Sequence, residues 1–335
     1  MSHKVAINGF GRIGRSVLRA IVENKISDVS VVAINDLTSP ATLAHLMKYD
    51  SVHGRFAGDV SATDNALIVN GTTIDVTAIR NPAELPWEDV DVAMECTGFF
   101  TKREAAAEHF KNGSARVLIS APGAGADRTV VFGVNDKDLT KDDIVVSNAS
   151  CTTNCLAPVA YILDQLVGIK TGYMTTIHAY TGDQPSHDAP HKDLFRGRAA
   201  AVSMVPTSTG AAKAISLVLP HLEGRLEGSA VRVPTPNVSL VDLCFMPERE
   251  ATKEGINAAI KAAAEGPLKG ILGYSEDPLV SIDFNHDPHS STFAPAQTAV
   301  TKDGMVRVVS WYDNEWGFAN RMVDTGRRLA ELAKT

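Results

Sequence analysis

The sequence predicts an α/β protein in two parts: a parallel sheet layered with helices over residues 1–150, and an α+β part with a mostly antiparallel sheet over residues 151–316. Three observations predict it. Apolar runs before residue 150 are near-continuous, as in strands buried on both faces. A glycine-rich turn joins the first of them to a helical pattern. After residue 151 the runs lengthen and alternate, as in a sheet with one wetter face.

In order, "KVAIN" (4–8) reads as a short strand, "GFGRIG" (9–14) as the turn, and "RSVLRAIVENK" (15–25) as a helix with Val17, Leu18, Ile21 and Val22 on one face. "VSVVAIND" (29–36) is a second strand ending in an acid, which completes a βαβ unit. "DVAMECTG" (91–98), "RVLISAPG" (116–123), "TVVFGV" (129–134) and "DIVVSNAS" (143–150) continue as strands, with a helix at 101–113 between two of them. "TTNCLAPVAYILDQL" then reads as a helix. "GYMTTIHAYTG" (172–182), "SAVRVPTPNVSLVDLCFMP" (229–247) and "MVRVVSWYDNEWG" (305–317) are the longer strands. A polar loop (182–198) and helices at 210–219 and 251–266 lie between them, and residues 317–335 form an amphipathic helix.

The bulk figures bound the function. At 335 residues, 44% hydrophobic and 21% charged, the chain has ample material for a core without staples. A net charge of −7 argues against a general nucleic-acid surface, so an anionic substrate needs a local group of cations and backbone N–H donors. Four cysteines are no disulfide framework and fit a reducing compartment. "MSHKVAINGFG" has no apolar signal core, and no run approaches the ~18–20 apolar residues of a membrane helix. The expectation is a cytoplasmic protein with no membrane or nucleic-acid partner.

Gly9, Gly11 and Gly14 form G-x-G-x-x-G between a strand and a helix, the context that gives the motif meaning. The first glycine permits the tight turn, the second close approach of a pyrophosphate, and the third helix–strand packing, with the helix N-terminus facing the phosphates. Asp36 ends the second strand, where an acid binds a ribose 2′-OH and repels a 2′-phosphate. This is a Rossmann-type reading that favours NAD over NADP.

"SNASCTTNC" (147–155) places Cys151 at a strand-to-helix junction. A thiolate there faces the positive end of the helix dipole, which lowers a thiol pKa, whereas Cys155 lies one turn deeper. Helix geometry disfavours a disulfide between them, and no nearby Cys or His completes a zinc site, so no metal is expected. Cys96 and Cys244 lie in strand-like runs and read as core. His178, ending "GYMTTIHAY", is either a base for Cys151 or a hydrogen-bonded core histidine. Ser208 or Thr209 is a natural N-cap whose helix could receive phosphate near Gly210. Arg196 and Arg198 in "FRGR", and Arg232 inside the apolar "AVRVP", are either anion ligands or paired structural charges.

"INGFGRIGR", "SNASCTTNC", "TIHAYTGDQ", "PTSTGAAKA", "VRVPTPNVS" and "WYDNEWG" together resemble phosphorylating glyceraldehyde-3-phosphate dehydrogenases, in the family's order and across essentially the whole chain. The resemblance implies a Rossmann-type NAD domain (1–150) completed by the C-terminal helix (317–335), a catalytic domain (151–316), and a homotetramer. It implies Cys151 as nucleophile and His178 as base. Thr181, Asp183 and Arg232 match a site for the substrate's phosphate; Ser150, Thr152, Thr209, Gly210 and Arg196 match one for inorganic phosphate. Cofactor contacts are implied for Gly9, Phe10, Gly11, Arg12, Ile13, Gly14, Asp36, Leu37, Arg80 and Ser120, and Asn314 matches the residue that orients the nicotinamide amide. Pro190 and Leu37 match the NAD-preferring form. Phe318 departs from the pattern, standing where many members have tyrosine. Erythrose-4-phosphate dehydrogenase, a relative with the same cysteine motif, is the alternative expectation.

Overall fold

A computed structural model describes residues 2–334. The chain divides into two compact units. One takes the chain up to Phe132, Asp136–Ala149 and everything from Ala319 onward; the other takes Gly133–Asn135 and Ser150–Phe318. Among the described residues no helix is long and apolar enough to cross a membrane.

The first unit is built on a nine-stranded sheet. The opening strand His3–Asn8 lies near its middle, with Val29–Asn35 on one side and Val92–Glu95 on the other, all parallel. Val5 pairs with Val31 and Val92 and is fully buried, as a strand covered on both faces requires. Outward from the opening strand the sheet continues one way through Thr72–Thr77 and the other through Val117–Ile119, Val145–Ser147 and Arg128–Thr129. Strand order therefore reverses beside His3–Asn8, and a crevice opens at the carboxyl ends of the strands there. The helix Arg12–Glu23 follows at once.

Three details differ from the sequence reading. The edge carries an antiparallel hairpin, Ala66–Val69 with Thr72–Thr77, turning at Asn70 and Gly71, both at positive φ (48° and 80°). That is the primed turn a two-residue hairpin favours, and the Asn-Gly pair between the apolar "ALIV" and the alternating "TTIDVT" is its sequence signal, which the sequence reading passed over. The expected helix at 101–113 is one α turn, Arg103–Ala106, running into a 3₁₀ stretch, Ala107–Asn112. In 129–134 only Arg128–Thr129 pairs as strand; Val130 and Val131 are fully buried, so their apolar character reports packing rather than a ladder. From Ala319 the last helix, Trp316–Ala333, packs in this unit: Thr325 Oγ1 donates to Asn148 Oδ1 at 2.9 Å, and Arg116 Nη2 to the Leu332 carbonyl at 2.9 Å.

The second unit carries an eight-stranded, mostly antiparallel sheet in the order Val205–Ser208, Leu226–Val233, Ile169–Ala179, Ser239–Pro247, Val306–Tyr312, Ser291–Phe293 and Leu272–Tyr274, with Ala299–Val300 beside Val306–Tyr312. Two pairings are parallel: Ile169–Ala179 with Leu226–Val233, and Leu272–Tyr274 with Ser291–Phe293. Along Ile169–Ala179 the side chains alternate. Met174, Thr176 and His178 are buried, while Tyr173, Thr175 and Ile177 are more exposed. The helix Cys151–Val167 covers the inner face, setting Leu156 and Val159 against Val241, Leu243 and Val308. Burying side chains of this size contributes about 1.5–3 kcal/mol each, so packing fixes the helix and with it the place of Cys151.

Candidate active site

The turn into the Cys151 helix is tightly determined. Ala149 is a non-glycine residue at φ 58°, a left-handed conformation that costs roughly 1–2 kcal/mol. Its N–H donates to Ser147 Oγ at 3.1 Å. Ser150 is the N-cap, its Oγ accepting from Thr153 N at 3.0 Å, which contributes about 1 kcal/mol. Cys151 is thus the first helical residue.

His178 and Arg232 are register partners on adjacent parallel strands, so their side chains share the buried face. His178 Nε2 lies 3.6 Å from Cys151 Sγ. Its Nδ1 is 2.7 Å from the Ala179 carbonyl, which can only accept, and 3.1 Å from Arg232 Nη1, which can only donate and which has the Ala179 carbonyl and Thr181 Oγ1 as other acceptors; the shorter contact assigns the proton of the neutral ring to Nδ1. The Nε2 lone pair then faces the thiol. Tyr312 stands edge-on to the imidazole at 5.9 Å, and its hydroxyl joins Thr152 Oγ1 (2.8 Å) to Thr176 Oγ1 (2.9 Å). This ties the first turn of the Cys151 helix to the strand of His178.

Burial, with Arg232 close by, pushes His178 down to about 3. Burial also pushes the Cys151 thiol up, against Arg232 and the hydrogen bonds of the helix start, which pull it down. The sequence expectation of a low thiol pKa from the dipole alone thus meets a larger opposing effect, desolvation. Desolvation penalises a lone charge on either group. It penalises a thiolate–imidazolium pair far less, because each ion compensates the other across 3.6 Å.

Beside this pair lies a cationic group. Arg232 Nη1 is 3.0 Å from the Ala179 carbonyl, 3.2 Å from Thr181 Oγ1 and 3.1 Å from His178 Nδ1. Its Nε is buried without a hydrogen-bond partner, an unspent donor. Thr181 Oγ1 donates to Asp183, Asp183 Oδ2 accepts from Arg196 Nη1 at 2.9 Å, and Arg196 Nε donates to Thr207 Oγ1 at 2.9 Å. Arg196 is thus held by Asp183, Thr207 and Asp193, and through Asp183 it stands beside Thr181 and Arg232. The helix Ala211–Val218 is capped by Gly210, not by Ser208 or Thr209: Ser208 ends the strand Val205–Ser208, and Thr209 Oγ1 accepts from Ala211 N at 3.1 Å. The unexpected strand draws Ser208 into the sheet and moves the helix start onward. Asn314 Oδ1 accepts from Ser239 Oγ at 2.9 Å.

In the first unit a cleft of about 430 Å³ opens at the strand ends, lined by Gly9, Gly11, Asp36, Leu37 and Arg80 from the expected set. A Cβ on Gly9 (φ +91°) would meet Thr97 N at 2.7 Å, and one on Gly14 would meet the Gly9 carbonyl at 2.2 Å; nothing lies within 4 Å of one on Gly11. Gly9 and Gly14 are thus required by packing, and Gly11 leaves the helix start open to a ligand. Asp36 accepts from Phe10 N (2.8 Å) and Thr38 N (2.9 Å), which fixes its carboxylate at the rim. The Phe10 side chain is in the core, so only its backbone serves the turn. Arg12 Nη1 pairs with Asp50 at 2.7 Å, Ile13 belongs to the helix turn beneath, and Ser120 N donates to the Glu95 carbonyl at 3.0 Å.

The sequence reading missed Asn8, Asn35, Ile79, Cys96, Thr97, Phe99 and Phe100, which also line the cleft. Cys96 is not core: it follows the strand Val92–Glu95 onto the cleft wall and is partly exposed, as is Cys244. The signal was present, since "CTGFF" sits just past a strand's carboxyl end, where such sheets bind ligands.

Residues 3–103 match the family model described as glyceraldehyde 3-phosphate dehydrogenase, NAD binding domain, and residues 150–314 the one described as glyceraldehyde 3-phosphate dehydrogenase, C-terminal domain. The chain is 64% identical over 332 residues to a glyceraldehyde-3-phosphate dehydrogenase of Cereibacter sphaeroides, covering 99% of this chain and 100% of that one. It is 62% identical over 334 residues to the enzyme of that name from Xanthobacter flavus, again covering 99% and 100%. With glyceraldehyde-3-phosphate dehydrogenase 1 of Bacillus subtilis the identity is 57% over 334 residues, covering 99% of each. A thiol beside an imidazole, a cation beside both, a glycine-turn cleft and these matches lead to one conclusion: the chain belongs to the glyceraldehyde 3-phosphate dehydrogenase family.

Proposed function

We propose that the chain oxidises glyceraldehyde 3-phosphate with NAD and inorganic phosphate through a thioester on Cys151, a step of glycolysis. The observation that carries this is Cys151 Sγ at 3.6 Å from a histidine nitrogen whose lone pair faces it, next to Arg232 with an unspent buried donor. The Cys151 thiolate attacks the aldehyde carbon to give a hemithioacetal, whose developing oxyanion meets the Cys151 N–H at the helix start. His178, which received the thiol proton, gives it to that oxygen and takes it back as the carbon is oxidised. When bound, NAD supplies the hydride acceptor. Inorganic phosphate then attacks the thioester carbon, the Cys151 sulfur leaves, and the product is 1,3-bisphosphoglycerate. Thr181, Asp183 and Arg232 hold the substrate phosphate, and the Arg232 Nε donor supports that assignment. Ser150, Thr152, Thr209 and Gly210 receive inorganic phosphate. Arg196 serves the phosphates from its place beside Asp183.

The glycine turn, Asp36, Leu37 and Arg80 hold NAD, Asp36 disfavouring a 2′-phosphate by charge, and Asn314 orients the nicotinamide amide. Erythrose 4-phosphate is not favoured as substrate, since the relatives carry the glyceraldehyde-3-phosphate name. The chain works in the cytoplasm as a homotetramer. Exposed Leu194, Phe195, Val202 and Met204, with Tyr173 on the outer sheet face, support subunit contact.

Following NADH formation with and without inorganic phosphate tests the reading: turnover should require phosphate, and turnover indifferent to it would point to hydrolysis instead. The cleft has its own test. Gly14→Ala puts a Cβ on the Gly9 carbonyl, and overpacking of about 1–3 kcal/mol should weaken NAD binding roughly 5- to 150-fold in a fluorescence titration. An unchanged dissociation constant would place the cofactor elsewhere.

A further inference from the structure

One buried hydroxyl joins the strand of the base to the residue assigned to the nicotinamide. Ser239 opens the strand Ser239–Pro247 and is 1% exposed. Its Oγ lies 3.0 Å from Ala179 N and 2.9 Å from Asn314 Oδ1. The Ala179 N–H can only donate, so Ser239 accepts there and spends its single proton on Asn314. A turned-over Asn314 would bring Nδ2 to the same oxygen. Ser239 would then hold two donors and a buried hydroxyl proton without this acceptor, which burial penalises. The same Ala179 takes His178 Nδ1 on its carbonyl, so one peptide residue serves both the base and the amide.

The backbone around Ser239 is specified just as closely. Val238, β-branched and 3% exposed, is held at φ 71°, a conformation that such a residue rarely adopts. Asn237 Nδ2 donates to Asp313 Oδ2 at 2.8 Å and to Asn285 Oδ1 at 2.8 Å. Asn237 and Ser239, two residues apart, thus take hold of Asp313 and Asn314 in turn. Strain of this kind persists where the surroundings over-determine it.

We propose that Ser239 is a positioning residue for hydride transfer: it locks the Asn314 amide with Oδ1 inward, so that Nδ2 donates to the carboxamide oxygen of the nicotinamide and a single ring face meets the substrate. This rests on the assignment of Asn314 given above. With the lock removed, the amide samples both orientations and the ring loses its preferred face.

The test uses the full enzyme, NAD, and glyceraldehyde 3-phosphate deuterated at the aldehyde carbon. The face that receives deuterium is read by NMR of the reduced cofactor. Ser239→Ala should lower kcat/KM for NAD roughly tenfold, the loss of one buried hydrogen bond, and should let deuterium appear on the second face. Ser239→Thr, which keeps the hydroxyl, should restore single-face transfer. Asn314→Ala separates the two readings. Mixed transfer in Asn314→Ala with clean transfer and unchanged kinetics in Ser239→Ala would overturn the role of Ser239 alone. Clean transfer in both would overturn the assignment of Asn314 and this proposal with it. Should Ser239→Ala fail to fold, Ser239→Cys, a weak donor of similar size, carries the same comparison.

Discussion

Cys151→Ser should abolish phosphate-dependent NADH formation, by on the order of 10⁴-fold or more. Three features of the site explain the size of this effect. The hydroxyl of serine stays protonated at neutral pH, whereas a thiol beside a base reaches its anion. The proposed pathway also needs a thioester, whose acyl group remains reactive toward phosphate; an oxygen ester would discharge far more slowly. Finally, the neighbouring cysteine cannot substitute. Cys155, one turn deeper and fully buried, is pushed up to about 12 by its burial. The fold should be undisturbed, since helix position comes from Leu156, Val159 and Leu163 rather than from residue 151. Residual turnover within tenfold of the wild type would remove Cys151 from the nucleophile's role.

His178→Asn should slow hydride transfer by roughly 10²–10⁴-fold, the usual contribution of a positioned general base. Asparagine fills part of the space but offers no lone pair to the hemithioacetal and no cation to the thiolate. The sign of the pH effect follows from the second loss. An imidazolium 3.6 Å from sulfur favours the thiolate, so removing it leaves desolvation less opposed and raises the apparent thiol pKa. Alkylation by iodoacetamide, followed against pH, should shift toward higher pH. Arg232, which also pulls the thiol down, limits the size of the shift. Superimposable curves for the two proteins would show that His178 does not hold the thiolate.

Much of the site was legible in the sequence, and what was missed has a common physical form. The glycine turn could be read because strand, turn and helix are contiguous, and Cys151 because a strand-to-helix junction is a local event. His178 stayed ambiguous between base and core until its register with Arg232, 54 residues on, put both on one face. That pairing is parallel, with a strand and a helix in between, and no local pattern encodes such a crossover. Tyr312 and Ser239 were invisible as supports for the same reason: Tyr312 meets Thr152 across 160 residues, and Ser239 meets Asn314 across 75. Single hydroxyls carry no periodicity, so only the fold gives them partners. The thiol's pKa was misjudged because a helix position shows the dipole, whereas burial, the larger effect here, depends on everything packed around it.

The most direct test of the thioester route is a single turnover without inorganic phosphate. Enzyme at stoichiometric concentration is mixed with glyceraldehyde 3-phosphate and NAD, quenched in acid, and digested for mass spectrometry. One equivalent of NADH should appear in a burst, the 3-phosphoglyceroyl group should sit on the Cys151 peptide, and added phosphate should remove it before the quench. A burst with the acyl group absent, carried on another residue, or untouched by phosphate would contradict a Cys151 thioester as the intermediate that phosphate discharges.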